Sequence, residues 1–244
     1  MSKNYNINGL YILVIVAMEV IKMDKIDIEN SLIVAIDLQN DFIFADVKDT
    51  KNHPNGVISS EEAKMMIGNA EVFIRNCADS EKNLNIVFIK DTHYLKSDAI
   101  PSEMWYMNSL EGRKLPIVHC IKGTDGWKFP KYLEDFVKNS KDSGHVKVVE
   151  KMSFAMNPQQ VLDIISGSWS FKGGINFDKI IIFGICTDVC VLSNAILFRS
   201  YLPNIPIYVL KDLCAGSYPD SHEAALKVMY QLQFDVIESK DIEF

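Results

Sequence analysis

Four apolar runs in this chain each end at a side chain capable of chemistry. Leu32–Ile36 stops at Asp37, and Ile86–Ile89 stops at Lys90 and Asp91. Val146–Val149 stops just before Glu150 and Lys151, and Ile180–Phe183 runs into Gly184-Ile185-Cys186-Thr187-Asp188-Val189-Cys190. A carboxylate, an ammonium and a thiol are the parts of nucleophilic catalysis by cysteine. A thiol attacks as thiolate, and its unperturbed pKa is about 8.5, so it needs assistance near neutral pH. Cys190 falls in the first turn of a helix predicted over Thr187–Arg199, where the helix dipole favours an anion. An ammonium beside it favours the anion further, and a carboxylate can take the proton. The expectation is a Cys190 thiolate that is reactive near pH 7.

The elements that must position these groups are short strands alternating with helices. Strands are predicted at Leu32–Ile36, Ile86–Ile89, Val146–Val149, Ile180–Phe183, Ile207–Leu210 and Phe234–Ile237. Most are apolar without alternation, which suits strands buried on both faces. Helical patterns lie at Ser60–Cys77, Lys131–Asn139, Pro158–Ile165, Thr187–Arg199 and Ser221–Gln233, two of them opened by capping sequences around Ser60 and Asp220. Such alternation predicts an α/β fold: a three-layer, doubly wound, mainly parallel sheet with helices on both faces. The stretch from Thr92 to Gly144 reads as an elaborated loop region beside the site. In an open parallel sheet the ligand crevice lies beyond the carboxyl ends of the strands, where the polar groups gather.

Three segments carry a resemblance to a known family. Asp37-Leu38-Gln39-Asn40-Asp41-Phe42, Glu150-Lys151 and Gly184-Ile185-Cys186-Thr187-Asp188-Val189-Cys190-Val191 resemble the signature segments of the isochorismatase-like cysteine hydrolases. The nicotinamidase/pyrazinamidase branch is the nearest. Asp212-Leu213-Cys214-Ala215-Gly216 and His222-Glu223-Ala224-Ala225-Leu226 are similar to a further family segment. The likeness runs from about Leu32 to Glu238 and leaves out residues 1–30 and an insertion at Ala45–Ser59. It implies Cys190 as nucleophile, Asp37 as general base and Lys151 as the cation. It further implies an oxyanion hole made by the N–H groups of Cys186 and Cys190, with a cis peptide between Ile185 and Cys186. The implied reaction is hydrolysis of a small amide through a thioester, with nicotinamide as the leading substrate. Another amide or carbamoyl compound on the same triad is the first alternative, and a non-catalytic binding protein of the same fold is the second. Isochorismate ether hydrolases usually lack the nucleophilic cysteine, so Cys190 argues against that substrate.

The resemblance also implies a divalent metal ion, Zn, Mn or Fe, held by an Asp-x-His pair and a later His. Asp91 and His93 are two apart in extended chain and point the same way. His119 follows 26 residues later. The family often adds a ligand six residues after the first His, but Ala99 stands there. Glu111 is the expected substitute, with Asp98 and Glu103 as rivals. Phe42, Trp105, Trp127 and Phe154 are candidates for an aromatic pocket, Phe42 and Phe154 foremost. His222 reads as structural, and Cys77, Cys120 and Cys214 read as small buried hydrophobes.

Composition closes off other classes. The 244 residues are 48% hydrophobic and 23% charged, as in ordinary globular chains, which excludes wholesale disorder. A formal net charge of -7 leaves no basic footprint for nucleic acid. Five cysteines, an odd number, argue against a disulfide scaffold and for a reducing, cytoplasmic setting. Leu10–Met18, the longest apolar run, is about half the length a membrane span requires. The domain reading is an extension of uncertain structure over 1–30 and a hydrolase domain over 31–244. Lys3 followed by the apolar run imitates a signal peptide, but no small-residue cleavage site precedes Glu19. An extra element packed on the body, an arm on a partner subunit and a start at Met18 or Met23 are the other readings. The expected partners are a small-molecule amide and further copies of the chain in a homo-oligomer.

Overall fold

The computed structural model describes residues 25–44, 60–115, 117–140, 142–167 and 176–244. Residues 1–24 of the expected extension and the 45–59 insertion lie outside the described residues. Six strands form one all-parallel sheet: β2 (Ser31–Ile36), β3 (Asn85–Asp91), β4 (Val146–Lys151), β5 (Lys179–Ile185), β6 (Ile207–Ala215) and β7 (Asp235–Ile237). Their order is β4-β3-β2-β5-β6-β7. Every residue of β2 and β3 is buried, as continuous apolar strands covered on both faces must be. The edge strand β4 is only partly buried instead, with Val148 exposed.

This order places the switch point between β2 and β5. From β2 the chain moves outward to β3 and β4, then returns to β5 and moves the other way to β6 and β7. Connections leaving β2 and β5 therefore diverge, and a crevice opens between them at their carboxyl ends. Asp37 directly follows β2, and Cys186 directly follows β5.

The helix Glu61–Asp79 starts at Ser60, whose Oγ accepts a hydrogen bond from the Ala63 N–H at 3.1 Å. Its buried residues recur at helical spacing, and Phe73 meets Phe183 of β5 edge-on at 5.4 Å. The helix Lys131–Ser140 brings Phe136 to 6.2 Å from Phe88 of β3. The stretch after β3 holds two 3-10 turns, Ser102–Met104 and Tyr106–Asn108, and a short helix, Leu110–Lys114.

Two elements differ from their sequence expectation. The predicted helix over Thr187–Arg199 is a π-helical turn, Thr187–Val191, followed by an α-helix, Leu192–Tyr201. The helix expected from Ser221 starts earlier, at Pro219, with the Tyr218 N–H donating to Ser221 Oγ at 3.2 Å. Proline at the first position is compatible with a helix start because its missing N–H has no intrahelical partner there. Before the main sheet, β1 (Ile26–Asp27) pairs in parallel with β8 (Ile242–Glu243), and Ile28 is buried. Residues 26–28 are thus integrated with the body. No described helix is long and apolar enough to cross a membrane.

Candidate active site

The turn after β2 is sharp. Asp37 has φ of 53°, a left-handed conformation that aspartate tolerates better than most residues. Its N–H donates to the Ile89 carbonyl at 2.9 Å, so β3 fixes its position. Across the switch point Gly184 of β5 has φ of 139° and lies against Ile36. The peptide between Ile185 and Cys186 is cis. In the turn that follows, the N–H groups of Val189 and Val191 both donate to the Cys186 carbonyl, at 3.1 and 3.0 Å. A π turn of this kind widens the backbone spacing and sets Cys190 facing the crevice.

Lys151, the last residue of β4, sits among three groups. Its Nζ is 2.8 Å from Asp37 Oδ2, 3.2 Å from Asp91 Oδ1 and 3.7 Å from Cys190 Sγ. All four side chains are buried. Burial pushes the Asp37 carboxyl up to about 6, with Lys151 pulling it back only in part. Burial would also raise Asp91, but Lys151, His119 and His93 hold it well below the usual carboxylate range. For Cys190 burial dominates over Lys151 and drives the thiol well above its ordinary value. Burial therefore works against the expected resting thiolate, next to a carboxylate raised by burial that can accept the Cys190 proton. Sequence patterning omits this burial.

Beside this cluster, Asp91, His93, Glu111 and His119 present ligand atoms within 4.8 Å of one another. His93 Nε2 lies 2.9 Å from Asp91 Oδ2 and 3.6 Å from Glu111 Oε1. His119 Nε2 lies 3.3 and 3.6 Å from the same two oxygens. His119 Nδ1 is 2.7 Å from the Ile117 carbonyl; when it donates there, Nε2 offers its lone pair to the cluster. His93 Nε2 is buried and makes no hydrogen bond of its own among the described residues. Burial lowers His119, but hydrogen bonds to Asp91 and Glu111 overcome it and push the imidazole up to about 10. Two imidazoles and two carboxylates around one point, with a positive charge favoured there, fit a divalent cation of the N/O-binding kind. Of the three candidate fourth ligands the cluster contains Glu111; Asp98 and Glu103 are exposed and outside it.

Glu111 is delivered by the short Leu110–Lys114 helix. Ser109 caps it by accepting from the Gly112 N–H at 2.9 Å. Gly112 lies so close to Tyr106 that a Cβ would stand 2.1 Å from the Tyr106 carbonyl oxygen. The Tyr106 ring in turn packs on His93 at 4.6 Å and on His119 at 5.3 Å.

A cavity of about 140 Å³ joins the two clusters. Cys190, Cys186, Asp91, Glu111 and His119 reach its wall, as do Phe42 and Phe154. Trp105 and Trp127 do not; Trp127 donates its Nε1–H to Thr92 Oγ1 at 3.0 Å instead. Two supporting side chains escape sequence reasoning. Gln39 grips the β3 end: its Oε1 accepts from the Asp91 N–H at 2.7 Å, and its Nε2 donates to the Asp91 carbonyl at 2.8 Å. Buried Asn194, one turn after Cys190, donates to the carbonyls of Cys190 at 2.7 Å and Phe154 at 3.1 Å. Its position four residues after the thiol on a helix is the one signal that could have marked it. His222 holds the opposite side of the turn, with Nδ1 2.8 Å from Thr187 Oγ1.

Fold and site together define a doubly wound α/β protein with a cysteine-centred buried cluster at its switch point. Residues 31–241 match the model of the Isochorismatase domain, and the chain belongs to that family. It is 25% identical over 226 residues to a nicotinamidase of Schizosaccharomyces pombe, covering 86% of this chain and 93% of that one. Among solved structures it resembles a pyrazinamidase of Pyrococcus horikoshii in complex with zinc, at a TM-score of 0.59, 17% identity and coverage of 86% and 99%. It also resembles an N-carbamoylsarcosine amidase of Thermoplasma acidophilum, at a TM-score of 0.59, 22% identity and coverage of 88% and 99%.

Proposed function

We propose that the chain is a cysteine amidohydrolase that converts nicotinamide and water to nicotinate and ammonia. One observation carries this reading: a single small cavity is lined by Cys190, the rings of Phe42 and Phe154, and Asp91, Glu111 and His119 of the four-donor cluster. Nicotinamide has a ring nitrogen on one side and a carboxamide on another, so it can meet both ends of such a cavity. A divalent ion (Zn, Mn or Fe) held by those four side chains would take the ring nitrogen and template the substrate.

The rest of the chemistry belongs to the chain's own residues. Asp37 accepts the Cys190 proton as Sγ attacks the carboxamide carbon. The Lys151 ammonium stabilises the negative charge on both partners in the low-dielectric site. The N–H groups of Cys186 and Cys190 receive the developing oxyanion. Asp37 returns its proton to the amide nitrogen, the C–N bond breaks, and ammonia leaves a thioester on Cys190. Asp37 then takes a proton from water, whose oxygen attacks the thioester, and the thiol is restored. Phe42 and Phe154 flank the ring and limit water.

The deciding experiment incubates the purified protein with nicotinamide, benzamide and a carbamoyl amino acid and measures ammonia. Nicotinamide should be hydrolysed fastest. Cys190→Ala should abolish turnover, and Cys186→Ala, of which only the backbone is used, should retain most of it. Ammonia from the carbamoyl compound alone would replace nicotinamide as substrate, and full activity in Cys190→Ala would overturn the mechanism.

A further inference from the structure

Asn194, on the helix Leu192–Tyr201, is a fully buried carboxamide that joins two walls of the catalytic cavity. A carboxamide offers two N–H donors and an acceptor oxygen. Here Nδ2 donates to the carbonyls of Cys190 at 2.7 Å and Phe154 at 3.1 Å, and Oδ1 accepts from the Met156 N–H at 3.0 Å. Two carbonyls and one N–H as partners admit only one orientation of the amide. The Phe154 carbonyl and the Met156 N–H belong to the peptide units on either side of Ala155. Consecutive peptides of the loop after β4 are therefore pinned by one side chain. The loop is braced further: Ser153 Oγ donates to the Ala155 carbonyl at 2.9 Å. Gln160, on the helix Pro158–Ile165, donates its Nε2–H to the Glu150 carbonyl at 2.7 Å.

The two rings that line the cavity are held differently. Phe42 is 5% exposed, and its ring packs 5.6 Å from that of His119. Phe154 is 45% exposed, so side-chain packing holds it less and its backbone places it. We propose that Asn194 is a specificity-determining positioning residue. By pinning the Phe154 backbone to the Cys190 turn, it fixes the gap between the Phe154 ring and Sγ and makes the site prefer an electrophile that carries a flat aromatic ring. A ring gains contact and burial only against a wall already in place; an unpinned loop must first be ordered, which lowers the gain. A small electrophile without a ring gains nothing from the wall. The inference rests on Cys190 as the nucleophile of the reaction proposed above and names the residue that selects among its substrates.

The test compares iodoacetanilide with iodoacetamide on the full chain. Both carry the same reactive group and differ by a phenyl ring. With each, Cys190 Sγ forms a bond to the methylene carbon, the C–I bond breaks, iodide leaves, and the thiol proton passes to Asp37. Mass spectrometry gives the labelling rate of Cys190 with each reagent, and their ratio is normalised to that of free cysteine. Loss of folded protein or of thiol reactivity lowers both rates together and cancels in the ratio; a displaced wall does not. Wild type should prefer iodoacetanilide. Asn194→Ser should lower the preference about tenfold, the scale of one aromatic contact and its buried area. Phe154→Ala should do the same without touching the buried amide, and adding Asn194→Ser to it should lower the preference no further. Absence of a preference in wild type overturns the proposal. So does a preference that survives either single substitution, or losses that add in the double variant. Ammonia release from nicotinamide is measured beside the ratios. The expected ratios without hydrolysis would uphold Asn194 and overturn the proposed reaction, and hydrolysis with a ratio unmoved by Asn194→Ser would do the reverse.

Discussion

Asp91 and Lys151 are register partners on adjacent parallel strands, and the two oxygens of Asp91 face different clusters. Oδ1 lies 3.2 Å from Lys151 Nζ, and Oδ2 lies 2.9 Å from His93 Nε2 and 3.3 Å from His119 Nε2. One carboxylate therefore borders both the thiol and the His93/His119 donors. Lys151 is the only cation in direct ion-pair contact with Asp37 among the described residues. Its removal leaves buried carboxylates without that partner.

Lys151→Met is accordingly expected to destabilise the fold by about 3–5 kcal/mol at pH 7, the usual consequence of breaking one side of a buried ion pair. The loss should shrink on acidification. Without Lys151 the folded-state pKa of Asp37 rises further above its unfolded value, so the folded form gains relative stability as pH falls. Urea unfolding of wild type and variant at pH 5 and pH 7 measures both effects, and an equal loss at the two pH values contradicts the assignment.

With Asp37 pushed up to about 6 by burial, an acidic limb on activity is expected if it is the base. Above that value the carboxylate is free to accept the Cys190 proton; below it the proton is already in place. kcat/KM for nicotinamide is expected to fall as pH drops through about 6. Asp37→Asn should lower the rate ~10²–10⁴-fold, the usual contribution of a positioned base, and should erase the limb from whatever activity is left. Because burial raises the Cys190 thiol well above its ordinary value, iodoacetamide is expected to label it slowly at pH 7 and faster as pH rises. Rapid labelling at pH 7 would restore the resting thiolate.

Gly184 tests the junction of β2 and β5. Its φ of 139° is in a region that side chains disfavour, and a Cβ there would stand 2.0 Å from the Ile36 carbonyl oxygen. Gly184→Ala must move backbone in the centre of the sheet, one residue pair from Asp37. A stability loss of at least about 2 kcal/mol is expected, together with a fall in turnover. Unchanged thermal unfolding would show that the junction relaxes freely.

Much of this was legible in the chain because fully buried strands carry uninterrupted apolar runs. The run Leu32–Ile36 lies inside β2, and Ile180–Phe183 lies inside β5. Asp37, Lys151 and Cys190 were visible as polar residues at the ends of such runs, and the parallel order brings those ends together. What patterning could not show depends on contacts distant in sequence. Gln39 acts through the backbone of Asp91, 52 residues away. The Leu110–Lys114 helix is too short for a periodic signal and is held by Tyr106 packing. The π turn replaced a predicted helical start because Val191 N–H bonds the Cys186 carbonyl, five residues back.

The four-donor cluster of Asp91, His93, Glu111 and His119 yields the prediction that separates nicotinamide hydrolysis from its nearest alternative. Four ligand atoms within 4.8 Å leave little redundancy. His93→Ala and His119→Ala should each remove most of a bound divalent ion, measured by mass spectrometry of the purified protein. Glu111→Ala should lower the content partly, and Asp98→Ala, at an exposed position outside the cluster, should leave it unchanged. If the ion serves as a template, its loss should raise KM for nicotinamide more than it lowers kcat. Labelling of Cys190 by iodoacetamide should then continue at a comparable rate, because Lys151 and Asp37 remain. A fully active wild type with no stoichiometric divalent ion would instead favour an amide without a pyridine ring, cleaved by Asp37, Lys151 and Cys190 alone.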